Sequence, residues 1–106
     1  MNSLDGMNPV RERALERLRG IVLDALRGRD AAVYLFGSHA SGNVRHASDI
    51  DVAIQPREQL PPAFFANLAE TIWESTIPYE VDLVDLREVG PAFREAVLRT
   101  GVKWRD

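Results

Sequence analysis

The sequence predicts an α/β fold in which short buried strands alternate with amphipathic helices, in the order αβ(α)βαβα. Three observations predict it. The runs "AAVYLF" (31–36), "SDIDVAI" (48–54) and "YEVDLVDL" (79–86) are short and rich in β-branched and other apolar residues, as buried strands are. The stretches around them carry apolar residues at helical spacing. Proline and glycine punctuate the junctions.

Residues 1–7 are polar and read as a disordered end. Asn8 and Pro9 suit a helix start, as cap and first-turn residue. Val10, Ala14, Leu18, Val22 and Ala25 then recur at helical spacing, with Leu15, Ile21 and Leu26 widening the stripe and Gly28 as the stop. Five arginines on this helix interleave with Glu12, Glu16 and Asp24, which reads as a solvated face or a docking face. Tyr34 is expected to pack within the first strand. Residues 37–47 read as a loop, with one helical turn possible after Ser38. Phe65, Leu68, Ala69 and Ile72 mark a helix after Pro61-Pro62, and Pro78 breaks the chain before the third strand. Pro91 opens a last helix with Phe93, Val97 and Leu98 expected inward. Gly101 ends it, and "VKW" is a candidate tail strand. Trp73 and Trp104 read as core or interface residues.

Composition bounds the function. A chain of 106 residues predicts a single domain over 1–106. Hydrophobic residues make up 45% and charged ones 27%, a globular mixture. The net charge of −3 argues against general nucleic-acid binding. With no cysteine, disulfide scaffolds and thiolate metal sites are excluded. No apolar run approaches the ~20 residues that span a bilayer, and no signal-peptide core opens the chain. A cytoplasmic protein without membrane contact is expected.

The chemistry concentrates in "YLFGSHASGNVRHASDIDVAI" (34–54). Along a strand, residues two apart share a face at ~6.5–7 Å. Asp49 and Asp51 would therefore project together, while Ile50, Val52 and Ile54 face the core. Two such carboxylates repel unless a cation lies between them or one is protonated. Hard divalent cations, Mg²⁺ above all, take oxygen ligands of this kind. Gly37 and Ser38 leave the first strand in a turn suited to a phosphate, through backbone N–H groups and a hydroxyl. In "EVDLVD", Asp82 is the natural third carboxylate, flanked by core-type residues as Asp51 is. Glu80 competes with it, and Asp85 fits a cap or exposed strand end. His39 and His46 read as exposed loop residues. Ser38 as a covalent nucleophile has no identifiable base.

The run G-S-x-A-x-G-x₅-S-D-I-D-V, carried by Gly37, Ser38, Ala40, Gly42, Ser48, Asp49, Ile50, Asp51 and Val52, resembles the DNA polymerase β-like nucleotidyltransferases. From about Ala31 to the tail "LRTGVKW" the chain resembles their minimal branch, the minimal nucleotidyltransferases. The resemblance implies a small mixed sheet of about three strands packed by about four helices. It implies that Gly37, Ser38 and Ser48 hold the nucleotide, and that Asp49, Asp51 and Asp82 are the catalytic residues and the ligands of two Mg²⁺ ions. Asp82 would also orient or deprotonate the attacking hydroxyl. It further implies transfer of a nucleoside monophosphate, AMP from ATP, to a tyrosine hydroxyl of a HEPN-type toxin, the chain acting as antitoxin.

One departure stands out. The family often has arginine where this chain has Ser41, and serine cannot fork onto phosphate oxygens. Arg45, or an arginine from a partner, could take its place. A second reading is therefore a catalytically weak module that neutralises its partner by binding. A third is transfer to a small acceptor such as an aminoglycoside, for which no additional domain is evident.

Overall fold

The computed structural model describes residues 9–36 and 49–106. Their elements are α1 (Pro9–Ala25), β1 (Ala31–Phe36), β2 (Ile50–Pro56), α2 (Phe64–Trp73), β3 (Val81–Asp85), α3 (Pro91–Thr100) and β4 (Val102–Arg105). The strands form one mixed sheet in the order β3-β2-β1-β4. β1 pairs antiparallel with both β2 and β4, while β3 joins β2 in parallel.

Alternation sorts the side chains onto two faces. Ala31, Val33 and Leu35 of β1, with Ile50, Val52 and Ile54 of β2, meet α1 and α2 in the main core, where Leu18, Val22, Leu26 and Phe64 fill the space. Ala32, Tyr34, Phe36 and Ala53 turn to the other face and pack with Leu86 and with Val97 of α3. β1 is covered on both faces, so all six of its residues are buried, Tyr34 included. The edge strand β3 is only partly buried.

The helices start and stop where local chemistry allows. Gly28 adopts φ +78°, a conformation that costs glycine little, and so turns the chain from α1 into β1. Pro91 occupies the first turn of α3 after Gly90. Gly101 packs the α3–β4 turn against β1: a Cβ there would lie 2.7 Å from the Val97 carbonyl oxygen and 3.3 Å from that of Leu35.

The α/β class holds, with one strand more than expected. The described residues contain four strands and three helices, and the remaining expected helix, after Ser38, falls outside them. "VKW" is a full member of the sheet, because pairing with β1 satisfies its backbone and seats Trp104 against the main core. The buried stripe of α2 is Phe64, Leu68 and Ile72, with Phe65 half-buried and Ala69 exposed, since the i, i+4, i+8 positions from Phe64 share the face that packs on the main core. Trp73 falls one residue beyond that stripe, about 100° round the helix, and is 85% exposed rather than core. In α3 only Val97 is buried. Phe93 and Leu98, expected inward, are 41% and 45% exposed, because α3 meets the sheet along a narrow line. Val10 is likewise exposed at the start of α1. The expected disorder of residues 1–7, the cap at Asn8 and the reading of the 37–47 loop lie outside the described residues.

Candidate active site

Parallel pairing of β2 with β3 puts Asp51 directly beside Asp82. Neighbouring strands lie about 4.8 Å apart, so the two carboxylates emerge side by side on the α3 face of the sheet. On the other side of Asp51, antiparallel pairing places Phe36. The row Phe36, Asp51, Asp82 thus crosses three strands at one level. Phe93 of α3 closes on Phe36 edge to face, with ring centroids 5.5 Å apart.

Burial differs sharply along the row. Asp51 is 3% exposed, the one buried charged residue among those described, whereas Asp82 on the edge strand is exposed. Taking a carboxylate out of water is costly in the absence of compensating polar or cationic partners. Apolar residues at Ile50, Val52 and Ile54 hold that strand in register and so fix where Asp51 points.

Asp49 stands just before β2. Its backbone N–H donates to the Glu80 carbonyl at 3.0 Å, and its Oδ2 accepts from the Glu80 N–H at 3.2 Å. One of its oxygens is therefore engaged with the backbone of the segment that leads into β3. Of the two candidates for a third carboxylate, Asp82 lies beside Asp51 and Glu80 lies beside Asp49.

Asp85 has a different task. Its carboxylate takes the Arg87 guanidinium at 2.8 Å and the Arg87 backbone N–H at 2.9 Å, closing the turn after β3. Burial pushes its pKa up, but the hydrogen bonds and charge of Arg87 outweigh that and hold it below the ordinary value.

Gly37, Ser38 and Ser48, with His39, Ser41, Arg45 and His46, lie outside the described residues. Among the described residues no group of three His, Cys, Asp or Glu converges to hold a metal ion. Asp51 and Asp82 nevertheless offer two adjacent hard oxygen donors. Mg²⁺ is commonly held by one or two carboxylates, with waters and substrate phosphates completing its shell. The donor set fits that ion in company with a nucleotide. The sequence pattern gave no sign of Phe36 and Phe93 beside the carboxylates, because that contact depends on how α3 crosses the sheet.

A mixed sheet that brings carboxylates of adjacent parallel strands together at one end is an arrangement suited to nucleotidyl transfer. Residues 29–103 match the family described as Polymerase beta, Nucleotidyltransferase, and the chain belongs to that family. It is similar to MntA of Haemophilus influenzae, 36% identical over 73 residues that make up 69% of this chain and 64% of the relative. It is 35% identical over 69 residues to the protein adenylyltransferase MntA of Shewanella oneidensis, covering 65% of this chain and 49% of that one. The chain thus spans less than two thirds of the length of these curated relatives. The spectinomycin 9-adenylyltransferase of Staphylococcus aureus is 31% identical over 99 residues, 85% of this chain but 37% of the relative. Among solved structures, a toxin–antitoxin complex with AMP-PNP superimposes with a TM-score of 0.59 at 29% identity, over 81% of this chain and 71% of the other. The tri-AMPylated Shewanella oneidensis HEPN toxin in complex with MNT antitoxin gives 0.58 at 26%, over 84% and 70%. No helix among the described residues is long and apolar enough to cross a membrane.

Proposed function

We infer that this chain is a Mg²⁺-dependent protein adenylyltransferase that moves AMP from ATP onto a hydroxyl of a HEPN-type protein, a tyrosine hydroxyl, and so acts as an antitoxin. The observation that carries the reading is the in-register pair Asp51 and Asp82, one buried and one exposed, at one end of the sheet. Similarity to the MntA proteins supports the choice of AMP and of a protein acceptor.

The chemistry joins the acceptor oxygen to the α-phosphorus of ATP and breaks the bond from that phosphorus to the bridging oxygen, so pyrophosphate leaves. Two Mg²⁺ ions, when bound, would stabilise the attacking and leaving oxygens. Asp51, with Asp49, would hold the nucleotide-associated ion, and Asp51 and Asp82 together would hold the second. Asp82, exposed on the edge strand, would meet the incoming hydroxyl, orient it and take its proton. Gly37, Ser38 and Ser48 are assigned to the nucleotide by their place in the motif. Preorganised charge and positioning supply most of the rate in such a site.

The test is direct. The purified chain, ATP and Mg²⁺ are incubated with a HEPN-type protein from the same source organism, and the acceptor is read by mass spectrometry. AMP is expected on a tyrosine, with none in EDTA. AMP transfer that persists after chelation would overturn the metal-dependent reading.

Ser41 favours one competing reading, a module that binds and neutralises its partner without transferring AMP. It predicts that neutralisation survives Asp49→Asn/Asp51→Asn in a growth-rescue assay. Transfer to a small aminocyclitol or aminoglycoside finds support in the Staphylococcus aureus relative, but only over 37% of that protein's length.

A further inference from the structure

A groove runs along the end of the molecule where β3 begins. Its larger part, about 850 Å³, is walled by Ile72 and Trp73 of α2, by Ile77 and Pro78 of the connection, and by Glu80 and Val81. A smaller hollow of about 230 Å³ shares Ile77 and Pro78 with it and is walled by Val10, Arg13 and Arg17 of α1. Each part carries an exposed apolar side chain, Trp73 at 85% and Val10 at 52%. The rims are charged with opposite signs, Glu70 and Glu80 on one side and Arg13 and Arg17 on the other. Among the described residues none of these four forms an ion pair.

We propose that this groove seats the acceptor protein, which presents an apolar anchor flanked by basic residues toward Glu70 and Glu80 and acidic residues toward Arg13 and Arg17. The inference rests on the transfer reading above and adds where the acceptor docks. Three observations carry it. An exposed tryptophan over an apolar hollow is the usual anchor of a protein interface. Rim charges of both signs suit a partner that carries both, whereas Glu70 and Glu80 would repel the phosphates of a nucleotide. The groove also lies at the same end of the sheet as the candidate active site, toward the opposite face. Glu80 in its wall bonds Asp49 through backbone N–H and carbonyl alike, and Val81 is followed by Asp82. A partner seated there is held at the end of the sheet that carries the carboxylates, and such tethering raises the effective concentration of its reacting group.

The test uses the full chain and the HEPN-type protein of the same source organism. Label transfer gives kcat and the KM of each substrate. Calorimetry, in an Asp51→Asn background without nucleotide, gives the Kd of the complex. Trp73→Ala is expected to raise the acceptor KM and the Kd about tenfold, and Arg13→Glu several-fold, with kcat and the KM for ATP unchanged. Trp73→Phe should restore most of the loss. Trp73 lies outside the core, so circular dichroism of the variants should match the wild type. An unchanged acceptor KM and Kd in both variants would overturn the proposal. So would a KM for ATP that rises with Trp73→Ala, which would place the nucleobase in the groove, or a wild-type chain that does not bind the HEPN-type protein. The two claims fail separately: binding that depends on Trp73 without any AMP transfer overturns the enzyme and leaves the docking surface, and transfer indifferent to Trp73 does the reverse.

Discussion

Asp51 is nearly isosteric with asparagine, which makes it the cleanest residue to test. Asp51→Asn keeps the volume and one carbonyl oxygen while removing the charge. The fold is expected to survive, and AMP transfer to fall at least ~100-fold, the order of effect seen when one preorganised electrostatic group is lost. Labelled transfer alongside a thermal melt checks both halves. Asp82→Asn should cost transfer similarly. Asp85 titrates to a different end. Its carboxyl, held below an ordinary value of about 3.8 by Arg87, binds a proton less readily in the folded chain than in the unfolded one. The resulting stability is complete above that ordinary value and is lost as pH falls through the lower folded one. Arg87→Ala should remove it, flattening the acid limb of a pH-dependent melt and lowering stability at neutral pH by up to about 1 kcal/mol. Strand alternation made the pairing of Asp51 with core residues on either side legible in the sequence. The tie between Asp49 and the Glu80 N–H was not, because it exists only once β3 lies parallel beside β2.

At the scale of elements, the α3–β4 turn is the tightest join. Gly101 has ordinary negative φ, so its constraint is space rather than backbone strain. Gly101→Ala is expected to cost roughly 1–3 kcal/mol, as overpacking does, because the added methyl meets backbone on both sides. A urea melt would measure it, and an unchanged midpoint would show that the turn can yield. The element boundaries that the sequence announced were those set by single residues: Gly28 after α1, Pro91 at the start of α3 and Gly101 at its end. What it hid was orientation. The apolar pattern of α3 admits Phe93, Val97 and Leu98 alike, and only contact with the sheet selects Val97. In α2 the apolar run "FFANLAETIW" fits two overlapping stripes, and packing against the main core selects Phe64, Leu68 and Ile72.

Across the whole molecule, strand order was the part least open to sequence reading. Each strand could be found from local pattern, but β3-β2-β1-β4 follows from pairings between residues far apart in the chain. The last strand is tied back by Arg105, whose guanidinium donates to the carbonyls of Leu26 and Arg29 in the turn between α1 and β1, at 2.9 and 2.5 Å. That order matters to function, since it sets Asp82 beside Asp51. The most direct measurement is transfer of the α-phosphate label of ATP to the HEPN-type protein, by the wild-type chain and by Asp51→Asn, with pyrophosphate release followed in the same samples. Label on an acceptor tyrosine, matched by pyrophosphate and lost in the variant, is the predicted result. Undiminished transfer by Asp51→Asn, or no transfer by a wild-type chain that still binds its partner tightly, would contradict it.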